Sequence, residues 1–98
     1  MTKLYYYSVV YRATRDGSVI EGSELPIKSM YFIDYSAAHS EAVQIMRCPV
    51  PSFVDNGLKK RYKNCTVFPS CYSVESMYVD DSTYNKLLNI HAIKGVVF

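Results

Sequence analysis

Alternation between apolar and polar side chains near the amino terminus constrains the fold more than any other feature. From Leu4 to Arg15, every odd-numbered position except the last is aromatic or aliphatic. The even-numbered positions are more polar, since they include Ser8, Arg12 and Thr14, although Leu4, Tyr6 and Val10 also lie among them. A period of two residues, rich in aromatic and β-branched side chains, is typical of a strand. The segment therefore predicts a long strand whose odd-numbered face packs against a core.

A tight hairpin is predicted directly after this strand. Asp16-Gly17 supplies the positive φ angles that a two-residue turn needs. Ser18 to Glu21 then begins a returning strand, which Gly22-Ser23 and Pro26 interrupt as a bulge or a second bend. Ile27 to Ile33 is expected to resume the extended conformation.

A repeat of apolar residues at intervals of three and four predicts a helix in the middle of the chain. Asp34 or Ser36 can cap it, and the polar side chains, Glu41 among them, are expected to point away from the core. Pro49 ends the helix, because it disfavours helical geometry at Cys48. The apolar stripe is formed by Tyr35, Ala38, Ala42, Ile45 and Met46.

The segment from Pro49 to Asn64 is too long for an ordinary loop in a small domain. It is either a functional loop, a mobile segment, or a segment with a short helix around Ser52 to Tyr62. Cys65 to Val79 predicts another strand, in which Tyr72 and Val74 face the core.

A second helix is predicted after this strand. Asp80 or Asp81 can cap it, and two acids also suit the positive end of the helix dipole. Lys94-Gly95 is the expected terminator, and Val96 to Phe98 is expected to form a short final strand. The stripe of this helix would be Tyr84, Leu87, Leu88 and His91.

This order of elements predicts a single α+β domain spanning residues 1–98. We expect a mainly antiparallel sheet, made of the amino-terminal hairpin and one or more further strands, with two helices packed on one face. The other face of the sheet, or an edge, then remains available for pairing.

Positive charge is concentrated in one stretch of the sequence. The net charge is only +2, yet Lys59, Lys60, Arg61 and Lys63 are four of the eleven basic residues, which leaves seven basic and nine acidic residues elsewhere. The stretch is open to three interpretations: a solvated surface, a contact to an acidic patch on a protein, or a contact to nucleic acid. In the last, the cations neutralise phosphates and Tyr62 stacks on a base.

The three cysteines, Cys48, Cys65 and Cys71, are an odd number, and the sequence has no long apolar run. These features predict a reducing, cytoplasmic setting in which the thiols are free and buried. No two cysteines have the short spacing of a zinc site, so neither a metal nor a cofactor is expected.

Catalytic chemistry is not indicated by the sequence. A cysteine with His39 or His91 as its base is conceivable, but no glycine-rich turn suggests an oxyanion site. Both histidines continue helical stripes, so we expect them at the margin of the core. We therefore expect a protein that is not an enzyme.

Three segments together suggest a resemblance: YYYSVVYRATRDGSVIEGS, DYSAAHSEAVQIM and CYSVESMYVDDSTYNKLL. They resemble the small accessory proteins that phages and mobile elements carry. The resemblance implies a hairpin, helix, strand and helix, and a protein that binds and blocks host machinery, including defence systems.

The function expected from the sequence is therefore that of a protein-binding module without catalysis. The chain contains ten tyrosines and no tryptophan, and tyrosine suits binding surfaces as well as strands. We expect it to act in the host cytoplasm by binding a host protein or complex, to form a homodimer through its sheet, and to have no membrane contact. The alternative is a small nucleic-acid-binding protein that uses residues 59–63. The candidate contacts are Tyr6 and Arg12 on the even-numbered strand face together with Lys59, Lys60, Arg61, Tyr62 and Lys63.

Overall fold

The computed structural model describes residues 1–94, which form an α+β arrangement of strands and helices. The predicted strand at Val96 to Phe98 lies outside the described residues. Within them, the strands are β1 (Thr2–Arg15), β2 (Ser18–Val19), β3 (Leu25–Lys28), β4 (Tyr31–Phe32), β5 (Thr66–Val79) and β6 (Ile93–Lys94), and the helices are α1 (Tyr35–Arg47), α2 (Ser52–Arg61) and α3 (Asp81–Asn89).

β1 is the central strand of the sheet. On one side it pairs with β5 in antiparallel fashion, from Thr2 opposite Val79 to Thr14 opposite Thr66. On its other side lie three short antiparallel strands, β2, β3 and β4. β6 pairs with β4 in parallel. The prediction of a mainly antiparallel sheet built on an amino-terminal hairpin is confirmed.

The two bends predicted early in the chain are both present. Asp16 and Gly17 have φ angles of 54° and 79°, as the tight turn between β1 and β2 requires. Gly22 also has a φ of 79°. The adjacent Ser23 is buried, and its Oγ accepts a hydrogen bond of 3.1 Å from the backbone N–H of Ala13. The second bend is therefore fastened to β1.

A β-bulge interrupts the long pairing of β1 with β5. Val10 lies opposite Cys71, whereas the next residue, Tyr11, lies opposite Pro69. Ser70 is therefore an extra residue on β5, which locally increases the twist of the strand pair. Proline is tolerated here because β5 is an edge strand within residues 1–94.

The main core lies between the odd-numbered face of β1 and two helices, α1 and α2. The fully buried Ala38 and Ala42 lack bulky side chains, so they let α1 pack closely against the sheet. Asp34 caps α1, since its carboxylate accepts a hydrogen bond of 3.2 Å from the N–H of Ala37. The buried members of this core include Tyr7, Val9, Tyr11, Ala13, Phe32, Ala38, Ala42, Val54, Leu58 and Val67.

The prediction of two helices on one face is wrong in number and in placement. α2 is an additional helix, and α3 packs on the opposite sheet face in a second cluster around Leu4, Val79 and Ile93. Leu4 belongs to the even-numbered face of β1 and is fully buried. Its large aliphatic side chain is most stable when shielded from water, and Leu87 and Leu88 of α3 provide part of this shielding.

The end of α3 also differs from the prediction. Asp80 caps the helix as expected, by accepting a hydrogen bond of 2.7 Å from the N–H of Thr83. The helix ends at Asn89, however, because His91 adopts a φ of 55°. The N–H of Ala92 bonds to the carbonyl of Leu87 at 3.0 Å, which completes a Schellman motif. His91 therefore does not continue the helical stripe, and Lys94 belongs to β6 rather than to a helix terminator.

The molecule is elongated along its two long strands. Its principal extents are 49, 22 and 21 Å, and its radius of gyration is 15.9 Å. A globular domain of this length has a radius of gyration of about 13 Å. None of the helices described in residues 1–94 has the length and apolarity needed to cross a membrane. The elongation leaves much of the sheet exposed.

Candidate functional site

One face of the sheet is uncovered over most of its length. Helices α1 and α2 pack on the odd-numbered face, and α3 covers the even-numbered face only near Leu4. Beyond Leu4, every even-numbered residue from Tyr6 to Thr14 is partly exposed, although β1 has strands on both sides. We call this surface the open face. Register places on it Tyr6, Ser8, Val10, Arg12 and Thr14 of β1, Pro26 and Lys28 of β3, Tyr31 of β4, and Phe68, Cys71, Ser73 and Glu75 of β5.

Two tyrosines and the lysine that lies against them form one half of the open face. The rings of Tyr6 and Tyr31 meet edge to face, with centroids 6.1 Å apart. The Nζ of Lys28 lies 4.2 Å from the centroid of Tyr6 and donates a hydrogen bond of 3.2 Å to the hydroxyl of Tyr31. These mutual contacts favour one orientation of the three long side chains.

Arg12 forms the centre of the other half. Its Nη2 forms an ion pair with Oε1 of Glu24. Its Nε is buried and, within the described residues, has no hydrogen-bond partner. A buried donor without a partner costs the fold about 1–3 kcal/mol. The guanidinium end of Arg12 is held by Glu24 but stays partly exposed, so it remains accessible from solvent.

The charges of the open face balance one another. Arg12 and Lys28 are matched by Glu75 on the same face and by Glu24, which pairs with Arg12, so this surface carries no net positive field for phosphates. Aromatic rings and an arginine on a neutral surface are the features of protein–protein contacts.

The basic stretch lies mainly on a helix. Lys59, Lys60 and Arg61 occupy the last turn of α2, where cations interact favourably with the helix dipole. Lys59 also forms an ion pair of 3.1 Å with Asp55, one turn earlier. The interpretation of Pro49 to Asn64 as a segment with a short helix is confirmed. Local helix energetics thus explain part of this charge concentration.

Tyr62 and Lys63 continue the basic stretch beyond α2. Tyr62 is partly buried against the main core, and its hydroxyl donates a hydrogen bond of 3.2 Å to the carbonyl of Gly22. Arg15, which is not among the predicted contacts, approaches from β1 and donates a hydrogen bond to the carbonyl of Lys63 at 2.5 Å. A fifth cation therefore joins this end of the molecule.

The structure does not bring all the predicted contact residues together. Arg12 lies close in sequence to Arg15 at the basic end, whereas Tyr6 is nine residues away from Arg15 on the same strand. Nine residues of extended chain span about 30 Å. The open face therefore runs from Tyr6 towards the basic end, and a partner could bind at the Tyr6 end without touching the basic stretch.

The three thiols differ in burial, and His39 lies at the margin of the core. Cys65 is buried, but Cys48 and Cys71 are exposed, so the expectation of buried thiols is wrong for two of the three. His39 fits the expected core margin: its Nε2 lies 3.1 Å from the hydroxyl of Tyr72. Within residues 1–94, no group of three or more histidine, cysteine or acidic side chains is arranged to hold a metal ion.

Glu41 does not point to solvent as the sequence suggested. Its Oε2 accepts a hydrogen bond of 2.7 Å from the hydroxyl of Tyr7, and its Oε1 lies 2.6 Å from the Nζ of Lys94. Burial by itself raises the pKa of Glu41, but the hydrogen bonds from Lys94 and Tyr7 outweigh burial and lower it. The available signal was its position between Ala38 and Ala42, on the flank of the helical stripe.

An apolar groove opens on the odd-numbered face, beside β3. It encloses about 180 Å³ between the sheet, the end of α1 and the start of α2. Phe53 lines it and keeps 66% of its surface exposed. The groove can take an apolar side chain, and its other walls include Tyr7, Val9, Tyr11, Ile27 and Ile45.

No protein-family model matches this chain, and neither the curated proteins nor the solved structures contain a match to it. The resemblance to phage accessory proteins therefore stays a prediction. What the two surfaces can do has to be argued from their own geometry and charge.

Proposed function

We propose that this protein is a non-enzymatic binding module that attaches to a host protein through its open face and acts by blocking part of the host protein's surface. The observation that carries the proposal is the partial exposure of the even-numbered side of β1 from Tyr6 to Thr14. A central strand ordinarily has both faces covered or one face fully polar, whereas this one presents tyrosine, valine and arginine to solvent.

The open face has the composition and rigidity that protein binding favours. Tyrosine and arginine are enriched in protein interfaces and supply most of their binding energy. Tyr6, Lys28 and Tyr31 already hold one another in place. Binding at this surface would therefore cost less side-chain entropy than binding at a surface whose side chains move independently.

Arg12 supports the same proposal. Its guanidinium group is partly exposed and its ion pair with Glu24 engages Nη2, so further N–H donors stay available to a partner. Its ion pair with Glu24 is partly exposed, so a partner carboxylate can compete with Glu24 for the guanidinium.

Steric inhibition is the mode of action that fits the expected phage origin. The resemblance of the sequence implies a target in host machinery, such as a defence complex. An elongated molecule 49 Å long can cover a functional surface of such a target without any chemical step.

The test is an affinity purification from host lysate with three proteins: the wild type, Tyr6→Ala on the open face, and Tyr35→Ala as a matched control. Tyr35 is an exposed tyrosine on α1, away from the open face. Each lysate is split into nuclease-treated and untreated halves, and thermal melting confirms that the variants are folded. We expect one host protein or complex to be retained in near-equal amount after nuclease by the wild type and Tyr35→Ala, and lost by Tyr6→Ala.

Two results would contradict the proposal. If the retained material is nucleic acid, or proteins that disappear with nuclease, the open face is not the working surface. If Tyr6→Ala and Tyr35→Ala retain the same protein equally, the partner binds elsewhere on the molecule.

A nucleic-acid-binding function is the second proposal, and the added charge of Arg15 at the basic end is the observation that favours it. Four phosphate contacts by Lys59, Lys60, Arg61 and Lys63 predict that log K falls with log salt with a slope of roughly −3 to −4. Changing all four residues to alanine should remove that dependence. Binding by the open face should instead change little with salt.

A further inference from the structure

The outer edge of β5 is an unprotected strand edge. Within residues 1–94, β5 pairs with β1 on one side and with nothing on the other. Its nine residues from Cys71 to Val79 include no proline, no lysine and one charged residue, Glu75. Natural sheets ordinarily protect an edge of this length with charges, prolines or bulges. The bulge and Pro69 lie outside this run, so its backbone N–H and C=O groups can accept another strand.

The opposite edge of the sheet is protected in the usual way. β3 contains four residues, and one of them is Pro26, which cannot donate a backbone hydrogen bond. β2 contains two residues and lies next to the hairpin turn. β5 is therefore the edge at which a further strand would find a continuous row of partners.

The elongated molecule exposes more surface than a compact monomer of its mass, so area for an interface is available. The chain exposes 6430 Å². A monomeric protein of 11.2 kDa exposes roughly 5,700 Å². The excess of about 700 Å² is close to the roughly 800 Å² that each partner buries in a standard stable interface.

We propose that two copies of this chain pair through β5 in antiparallel fashion, with a two-fold axis at Val74. The segment from Cys71 to Met77 of one copy would then lie against the same segment of the other, and the two sheets would become one continuous sheet. A two-fold edge contact is self-complementary, so a single chain can satisfy both sides of it.

The position of the axis follows from strand geometry. Two residues that lie opposite each other in neighbouring strands point to the same face of the sheet. A two-fold axis perpendicular to the sheet must therefore set one residue opposite its own copy, and it cannot lie midway between two consecutive residues. An axis at Glu75 would pair the most residues, but it would place two carboxylates directly opposite each other. An axis at Val74 opposes two valines and sets Glu75 against the partner's Ser73, whose hydroxyl can donate a hydrogen bond.

The neighbouring axes are less favourable. An axis at Ser73 pairs only five residues before the bulge intervenes. An axis at Ser76 sets Glu75 against the apolar side chain of the partner's Met77. The dimer also places the two open faces side by side. Its formation does not depend on the proposed function, because it needs no host protein.

The test uses the purified protein and charge changes at one exposed position. Ser73→Glu sets a second carboxylate against the partner's Glu75, twice per dimer, and we expect the dimer to weaken about tenfold. Ser73→Lys creates two opposite-charge pairs and should strengthen it. The double change Ser73→Glu with Glu75→Lys also creates two opposite-charge pairs, so it should reverse the weakening and bind more tightly than the wild type. Gln44→Glu, on the exposed side of α1, adds the same charge away from the edge and should change nothing.

Sedimentation equilibrium over a concentration series measures all five proteins. A wild type that stays monomeric up to roughly 100 μM, where even weak dimers form, overturns the proposal. A dimer that responds equally to Ser73→Glu and Gln44→Glu also overturns it, since the contact would then lie elsewhere.

Disulfide trapping tests the register independently. In a background of Cys48→Ser and Cys71→Ser, Ser73→Cys mixed with Glu75→Cys should cross-link on oxidation, and each variant alone should not. Cross-linking of Ser73→Cys with itself, or of Glu75→Cys with itself, places the axis at that residue and contradicts the axis at Val74.

Discussion

The hydroxyl of Tyr7 donates a hydrogen bond of 2.7 Å to Oε2 of Glu41, and this contact joins the central strand to α1. The second oxygen of Glu41 lies 2.6 Å from the Nζ of Lys94 in β6. One carboxylate therefore connects three elements that are far apart in the sequence. Because Glu41 and Tyr7 are partly or largely buried, the loss of either partner leaves a polar group poorly solvated.

Replacement of Tyr7 by phenylalanine should lower the free energy of unfolding by about 1.5–3 kcal/mol, the usual contribution of a hydrogen bond to a charged group. The ring still fills its place in the core, so packing is preserved. Urea unfolding measures the effect. Tyr35→Phe is the control, because Tyr35 is exposed, and it should change stability by less than about 0.5 kcal/mol. Equal effects of the two changes would show that the hydrogen bond to Glu41 contributes nothing.

Acid should weaken the fold through Glu41. Its folded pKa lies below the ordinary value of 4.5, because hydrogen bonds from Lys94 and Tyr7 outweigh the effect of burial. The stabilisation is therefore fully present above pH 4.5 and is lost as the pH falls through the folded pKa. Unfolding free energies from about pH 6 to about pH 3 should fall less steeply for Glu41→Gln than for the wild type. Glu21→Gln, at an exposed position, should keep the wild-type slope.

Alkali should weaken the fold through two buried phenols. Burial, followed by the hydrogen bond to Glu41, raises the pKa of Tyr7, and burial also raises the pKa of Tyr11. Unfolded phenols ionise near pH 10, whereas these two stay neutral in the folded chain, so stability is present below pH 10 and falls as the pH rises above it. In a titration followed by phenolate absorbance, Tyr7→Phe and Tyr11→Phe should remove the late-titrating signal. An unchanged late signal in both variants would contradict this assignment.

Elements with a local chemical signal were predictable from the sequence. The alternation in β1, the positive φ at Asp16-Gly17 and the caps at Asp34 and Asp80 each depend on residues within a few positions of one another. Local hydrogen bonding and backbone preference decide these features, so the sequence carries them directly.

Features that depend on distant contacts were not predictable. α3 lies on the opposite face because Leu4 and Val79, seventy-five residues apart in the sequence, lie together on that face and have to be shielded from water. Glu41 points inward because its carboxylate accepts hydrogen bonds there from Tyr7 and Lys94. The open face could be anticipated from the mixed character of Tyr6 and Arg12, but its extent depends on where three helices pack.

Two glycines should respond to alanine in opposite directions, although an added Cβ meets nothing within 4 Å at either. Gly17 has a φ of 79°, which alanine adopts at a cost, so Gly17→Ala should destabilise the fold by about 1 kcal/mol. Gly57 lies inside α2, where alanine is the better helix former, so Gly57→Ala should stabilise it by about 0.5–1 kcal/mol. Thermal and urea unfolding of both variants check the signs. The same sign for both would show that backbone conformation does not decide the effect.

The three thiols should react at very different rates in the folded protein. Cys48 and Cys71 are exposed, whereas Cys65 is 8% exposed and packs in the main core. A thiol-specific reagent applied to dilute native protein should therefore modify two thiols quickly and the third only as fast as the chain opens. Mass spectrometry of the digested protein identifies the slow site, and addition of urea should make all three rates similar. Cys65→Ser should leave the fast phase intact and remove the slow one. Rapid modification of Cys65 in the native protein would contradict its placement in the main core.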